Sequence, residues 1–291
     1  MSVYASEEYF QQLLVKAVSA HASDVHFKVG IAPGARVNGD MIFFRTDPLN
    51  VADTLSIVKH LLKSVDPDTK REHDLAYGVA GVGRFRVNVY RQRGSWGIVL
   101  RVIPLKIPTF EDLGAPAACK YLAEQERGLI LCVGAAGNGK SSTLAAMVEQ
   151  INQTEACNII TVEDPVEYRF WPKKSIVSQR EIGIDVTDYK TALRYIVRQD
   201  PDVIFIGEMR DHDTVLAAIQ AAETGHLVFA TLHTADTMQS FNRMLEFFPK
   251  EEHAFIRSSL SNTLRAILAQ RLLPAVPNFE VGVVPATEIL L

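Results

Sequence analysis

Cysteine is scarce in this 291-residue sequence, and the three present are scattered. Cys119, Cys132 and Cys157 have no C-x-x-C spacing, which argues against a zinc module or a disulfide framework and suits a reducing cytoplasm. Cys132, set in an apolar run, reads as a core residue. No stretch approaches 18 consecutive apolar residues, and the N-terminus lacks a basic region followed by an apolar one, so neither a membrane span nor a signal peptide is expected. Any membrane association is then expected to come through partners. Positive charge is in deficit as well: 30 Lys and Arg against 34 Asp and Glu give a net charge of -4, which leaves no global attraction to nucleic acid or anionic lipid. Internal repeats and low-complexity tracts are absent. With 47% hydrophobic and 22% charged residues, the chain has the composition of a globular protein and a length that fits two domains.

The first hundred residues alternate helix with strand. Tyr9-Phe10, Leu13-Leu14 and Ala17-Val18 share one helical face, and Val51 to Leu62 predicts a second helix with Leu55, Val58 and Leu62 on one side. Strands are expected at Asp24–Val29, across Ala35–Phe44 with an Asn38-Gly39 turn signal, and in a pair formed by Gly83–Tyr90 and Gly97–Ile103. Together these predict a small α/β domain over residues 1–104. Pro104, Pro108, Gly114 and Pro116 break the periodicity, placing a linker at 105–118 and a second domain at 119–291. In the second domain, buried strands at Gly128–Val133, Asn158–Val162, Asp202–Ile206 and His226–Thr231 alternate with helices at Tyr189–Gln199 and Thr214–Thr224. A longer helix is expected at Glu251–Leu273. This is the pattern of an open parallel sheet.

Between the strand ending at Val133 and a helix beginning near Ser142 lies Gly134-Ala135-Ala136-Gly137-Asn138-Gly139-Lys140-Ser141, a G-x-x-x-x-G-K-S loop. Its glycines let backbone N–H groups turn toward nucleotide phosphates, Lys140 neutralises the β and γ charge, and the Ser141 hydroxyl can reach Mg²⁺. Other buried strands end in ionisable residues that an open sheet would bring to the same place. Val203–Glu208 has the apolar-run-then-acid form of a Mg²⁺-holding Walker B element, with Glu208 as the acid. Glu163 and Asp164 end another strand, where a carboxylate can orient and deprotonate water. Histidines bracket the strand from His226 to His233. The bland readings are a cap for His226 and an exposed loop residue for His233.

Gly134–Ser141, Ile160–Pro165, Asp200–Asp211 and Ala222–His226 through His233-Thr234 resemble, in order, the Walker A, Asp, Walker B and His boxes of secretion ATPases. Within that superfamily the sequence is most similar to type IV pilus retraction ATPases, the PilT-like proteins and their PilU-like paralogues, over about residues 5 to 290. The resemblance implies a homohexameric motor using ATP and Mg²⁺, with a PAS-like α/β N-terminal domain and a RecA-like ATPase domain. It implies an inner-membrane platform partner, a paralogous pilus ATPase as a further partner, and a place at the cytoplasmic face of the inner membrane. No nucleic-acid partner is expected. Carried over by position, it makes Glu163 the general base, Glu208 the Walker B acid, and His233 and His226 sensors of the γ-phosphate. Arg86 and Arg101 fall where family members present arginines to the phosphates, with Arg84, Arg91 and Arg93 as further basic positions on the same hairpin. The loop differs from the family's usual letters at Ala136, Asn138 and Ser142 while keeping Gly137, Gly139, Lys140 and Ser141. The family also continues through C-terminal helices, whereas this sequence stops at Glu288–Leu291 within an expected strand.

Two alternatives belong beside this reading. RecA-like hexamers also translocate along nucleic acid, and a paralogue can assist another pilus ATPase without hydrolysing nucleotide itself. For the arginines the ordinary alternative is a solvated strand residue. No N-K-x-D guanine signature is present, so ATP is expected rather than GTP.

Overall fold

The computed structural model describes residues 3–37, 39–103, 106–275 and 283–291. Asn38 of the expected turn, Pro104 at the end of the expected first domain and Leu105 at the start of the expected linker lie outside them. The chain divides into two units, Met1–Leu105 and Lys106–Leu291.

In the first unit, helix α1 (Glu7–Ser19) begins where Ser6 accepts a hydrogen bond from the Tyr9 N–H. Strands β1 (Ala22–Phe27), β2 (Gly34–Val37) and β3 (Asp40–Phe43) precede helix α2 (Val51–Leu62), and β4 (Glu72–Val79), β5 (Gly83–Gln92) and β6 (Ser95–Ile103) follow it. Asn50 caps α2 reciprocally with Asp53, each side chain bonding the other's backbone N–H; this satisfies donors that a helix start leaves orphaned and fixes the helix at the predicted residue. The six strands pair antiparallel in the order β3-β2-β1-β6-β5-β4. Alternation along β5 sends Phe85, Val87 and Val89 into a core with Phe10, Leu14, Ile57 and Val58 of the helices, leaving Arg86 exposed on the other face. Strand β4 was absent from the sequence reading: Glu72–Val79 holds only two β-branched or aromatic residues and an internal glycine.

In the second unit, two short helices, α3 (Phe110–Leu113) and α4 (Ala118–Ala123), occupy part of the expected linker and the residues after it. Strand β7 (Gly128–Val133) leads through the glycine loop into α5 (Lys140–Thr154). Then come β8 (Asn158–Glu163), β9 (Ile176–Glu181), α6 (Tyr189–Ile196), β10 (Val203–Ile206), α7 (His212–Glu223), β11 (Leu227–Leu232), α8 (Thr237–Glu246), α9 (His253–Thr263), β12 (Leu264–Pro274) and β13 (Val283–Leu290). The sheet order is β13-β12-β7-β11-β10-β8-β9, parallel except for β13. Leu129, Leu131, Val133, Ile204 and Val228 face α6, α7, α8 and α9, while Ile130, Cys132, Ile159 and Phe229 face α4 and α5. Cys132 is a core residue as expected, its thiol pushed up to about 12 by burial.

The helix expected over Glu251–Leu273 is corrected: it stops at Thr263, and Leu264–Pro274 is a strand alongside β7. An apolar run such as Leu264-Arg265-Ala266-Ile267-Leu268-Ala269 satisfies either period, and the open edge of β7 decides it in favour of strand. Strand β9 also escaped the sequence reading. Its outward residues are exposed and its run Ile176–Glu181 is mostly polar, as an edge strand can be.

Candidate nucleotide site

Parallel strands β7, β8, β10 and β11 end level with one another, so their C-terminal loops converge at one rim of the sheet. The glycine loop leaves β7 there and opens α5. At Gly134 φ is +148°, and a Cβ would lie 2.4 Å from the Gln270 carbonyl oxygen; at Gly139 φ is +77°, and a Cβ would lie 2.8 Å from the Gln270 amide nitrogen. Only glycine allows β12 to approach so closely. Gln270 is itself part of the loop's frame: its side chain accepts from Thr143 Oγ1 at 2.9 Å and donates to the Asn138 carbonyl at 2.8 Å. Asn138 also accepts from the Leu272 N–H through Oδ1 at 3.0 Å, so a letter unusual for the family is tied to β12. Gln270 was missed in the sequence because its role depends on a strand 130 residues away in the chain, read there as helix.

Lys140 is buried, with Nζ donating to the Gly134 and Ala135 carbonyls at 2.9 and 3.1 Å. Burial lowers its pKa, as expected for an ammonium removed from water. From Lys140 a line of polar contacts crosses the rim. Lys140 Nζ lies 3.4 Å from His233 Nδ1, and His233 Nε2 lies 3.1 Å from Glu208 Oε1. An ammonium has only hydrogens to offer, so Nδ1 accepts and Nε2 carries the proton given to Glu208. Arg210 then binds the other Glu208 oxygen at 2.6 to 2.7 Å and reaches Asp164 at 3.4 Å. The Glu208 hydrogen bond raises the Arg210 pKa. Arg210 and Asp164 thus join the site. Arg210 had no signal beyond its place next to Glu208.

Glu163 ends β8 with a carboxyl that burial pushes up to about 7, against hydrogen bonds from Thr161, Gln179 and the Glu167 N–H that lower it. A carboxyl poised there can exchange a proton with water near neutrality. Ser141, in the first turn of α5, is half-buried, and Ser142 Oγ pairs with the Tyr168 hydroxyl at 2.7 Å. A cavity of about 730 Å³ opens beside Ala135, Ala136 and His233, its far wall formed by Gln239, Asn242, Arg243 and Glu246.

His226 is not among these residues. It precedes β11, roughly 20 Å from the rim at about 3.3 Å per residue, and its Nδ1 contacts the Ala221 carbonyl at 2.8 Å and Thr224 Oγ1 at 3.1 Å. It closes the end of α7, the bland alternative, because the residue before a parallel strand sits at the opposite end from the phosphate loop. Arg86 and Arg101 belong to the first unit, where they are direct cross-strand partners on the face away from its core. Arg101 Nε donates to Asp24 at 3.0 Å, while Arg91 is engaged by Asp68 and stacks over Trp96 at 3.9 Å.

A family model described as type II/IV secretion system protein matches residues 82–284, spanning the hairpin arginines, the glycine loop and every acid at the rim. The chain belongs to that family. Among curated members of the type II/IV secretion family, the type IV pilus retraction ATPase PilT of Pseudomonas aeruginosa is 40% identical over 283 residues, covering 96% of this chain and 81% of the relative. The type IV pilus ATPase PilU of the same organism is 40% identical over 268 residues, covering 91% and 70%. Among solved members, a crystal structure of the pilus retraction motor PilT with bound ADP superposes with a TM-score of 0.88 at 44% identity, covering 96% of this chain and 82% of that one. The two-domain α/β architecture is therefore that of this family. Among the described residues no helix is long and apolar enough to cross a membrane, and no group of three or more His, Cys, Asp or Glu residues is arranged to hold a metal ion.

Proposed function

We propose that the chain is an ATP-hydrolysing motor that drives type IV pilus retraction. The observation carrying this reading is the polar line Lys140–His233–Glu208–Arg210 laid along the glycine loop, beside a buried carboxyl at Glu163, in a chain 40% identical to PilT over 96% of its length. In the proposed reaction the loop N–H groups and Lys140 hold the phosphates of ATP, Lys140 turning from the Gly134 and Ala135 carbonyls to the more strongly charged ligand. Glu163 orients a water in line with the γ-phosphate and takes its proton. His233, lying between Lys140 and Glu208, detects the γ-phosphate by exchanging its partner.

The donors present fit Mg²⁺. Ser141 and Glu208 are hard oxygen ligands, and magnesium is commonly held by one or two such groups together with substrate phosphates, so a three-residue cage is not required. When bound there, the ion neutralises charge that develops on the phosphates. Arg210 and His233 currently occupy both oxygens of Glu208, and their release frees the carboxylate for that role.

The domain assignment, with 1–104 PAS-like and 119–291 RecA-like, belongs to this proposal, as do assembly into a homohexamer and docking on an inner-membrane platform at the cytoplasmic face. In this proposal Arg86 and Arg101 are the arginines that stabilise charge on the phosphates. The two arginines are register partners on one face of the sheet, with Arg101 paired to Asp24 at 3.0 Å. The 40% identity to PilU over 268 residues supports one second reading, an accessory ATPase working beside another motor. Fluorescently labelled pili in cells carrying Lys140→Ala in place of the native residue test the main reading: pili should extend without retracting. Normal retraction there would overturn it and leave the accessory role.

A further inference from the structure

The Glu163 carboxyl is held from three directions. The residue is only 4% exposed, Oε1 accepts from Thr161 Oγ1 at 2.6 Å and from Gln179 Nε2 at 3.1 Å, and Oε2 accepts from the Glu167 N–H at 3.3 Å. Thr161 precedes Glu163 by two residues on β8 and Glu167 follows in the next loop, so both are local. Gln179 comes from a different strand, as the β9 register partner of Thr161.

The orientation of Gln179 is fixed by its other contacts. Its Oε1 accepts from the Phe170 N–H at 2.9 Å, and its Nε2 donates to the Tyr168 carbonyl at 2.8 Å. A backbone N–H cannot accept and a carbonyl cannot donate, so the amide cannot be flipped, and the second Nε2 hydrogen faces Glu163. The same side chain thereby ties the loop over 164–175 to β9 and delivers a neutral donor to a buried acid.

We propose that Gln179 is a positioning residue for Glu163, an immobile donor that holds the carboxylate at the rim of the sheet and favours its ionised form. The catalytic consequence rests on Glu163 being the general base; the positioning itself does not. Other titratable groups around Glu163 are Glu167 in the following loop, Glu181 opposite it in the β8–β9 register, and Tyr189 on α6. Each carries or can acquire negative charge, and none helps a carboxylate form. Neutral donors therefore carry that task, and among the side chains that donate, Gln179 is the one that binds Glu163 to a second strand.

The test uses the full chain without nucleotide, labelled with ¹³C at glutamate carboxyls, and the Glu163 resonance is assigned by its loss in Glu163→Gln. Gln179→Met keeps the length of the side chain and removes the donor; Gln179→Glu keeps the acceptor for Phe170 and adds a like charge. The Glu163 midpoint should rise by about one pH unit in Gln179→Met, as expected for losing a hydrogen bond to a charged group, and further in Gln179→Glu. An unmoved midpoint in both variants overturns the proposal. The acid limb of kcat/KM should follow the midpoint upward while KM for ATP at pH 9 stays within about twofold; a general loss of packing would lower activity without moving the limb. If the midpoint moves and the limb does not, the positioning stands and the base assignment of Glu163 falls.

Discussion

Among single residues, the proposed reaction depends on the Glu163 carboxyl, which burial pushes up to about 7. A general base acts only when deprotonated, and burial places the Glu163 pKa at about 7 against an ordinary 4.5. Turnover at limiting ATP should therefore be low at pH 6, rise through pH 7 and level off above pH 8, as a pH profile of kcat/KM would report. The same shift has a stability sign. The folded protein binds this proton more tightly than the unfolded chain does, so Glu163 contributes a loss of stability as pH rises from about 4.5 to about 7. Denaturation midpoints of wild type and Glu163→Gln should accordingly diverge across that window, with the variant relatively favoured at its upper end. Lys140 was legible from the glycine loop and Glu163 and Glu208 from acids closing apolar strands, whereas His233 entered only through the family resemblance. Gln179 and Gln270 were not, since their importance comes from partners in other segments, and no spacing within one segment encodes that; Arg210 pairs chiefly with Glu208 two residues before it, a spacing that by itself names no role.

At the scale of elements, β12 and the glycine loop form one unit. Gln270 is buried, and both ends of its amide are used by Thr143 and Asn138. Gln270→Ala leaves a buried hydroxyl and a carbonyl without their partner, a loss of about 1–3 kcal/mol for each group that water cannot reach. Urea denaturation should register that destabilisation, and calorimetric titration should show ATP binding weakened as the loop loses its frame. Gly134→Ala should be worse, since the added carbon meets the Gln270 carbonyl at 2.4 Å, which neither backbone can avoid without shifting. Elements with a strong local signature, such as α2 with its reciprocal cap and β7 with its uniform apolar run, were read correctly to the residue. The errors fell where tertiary context decides: an apolar stretch that became strand β12 because β7 had an edge to fill, and the polar edge strand β9 that only its partner β8 makes a strand.

At the scale of the whole molecule, the phosphate loop and the acids lie in the second unit, and the cross-strand partners Arg86 and Arg101 lie in the first. If these arginines act on the phosphates as proposed, Arg86→Ala and Arg101→Ala should lower turnover by far more than they weaken ATP binding, with arginines of this kind contributing about 10³–10⁵ in rate. Unchanged turnover in both would return them to solvated strand residues. Steady-state hydrolysis beside equilibrium binding separates the two outcomes.

In the proposed reaction this site hydrolyses ATP with Glu163 as the base. This is tested most directly by single-turnover cleavage of Mg-ATP by purified wild type and Glu163→Gln, with nucleotide affinity measured alongside. Glu163→Gln should bind nucleotide nearly as wild type does and cleave it about 10²–10⁴ more slowly; cleavage at the wild-type rate would remove Glu163 as the base.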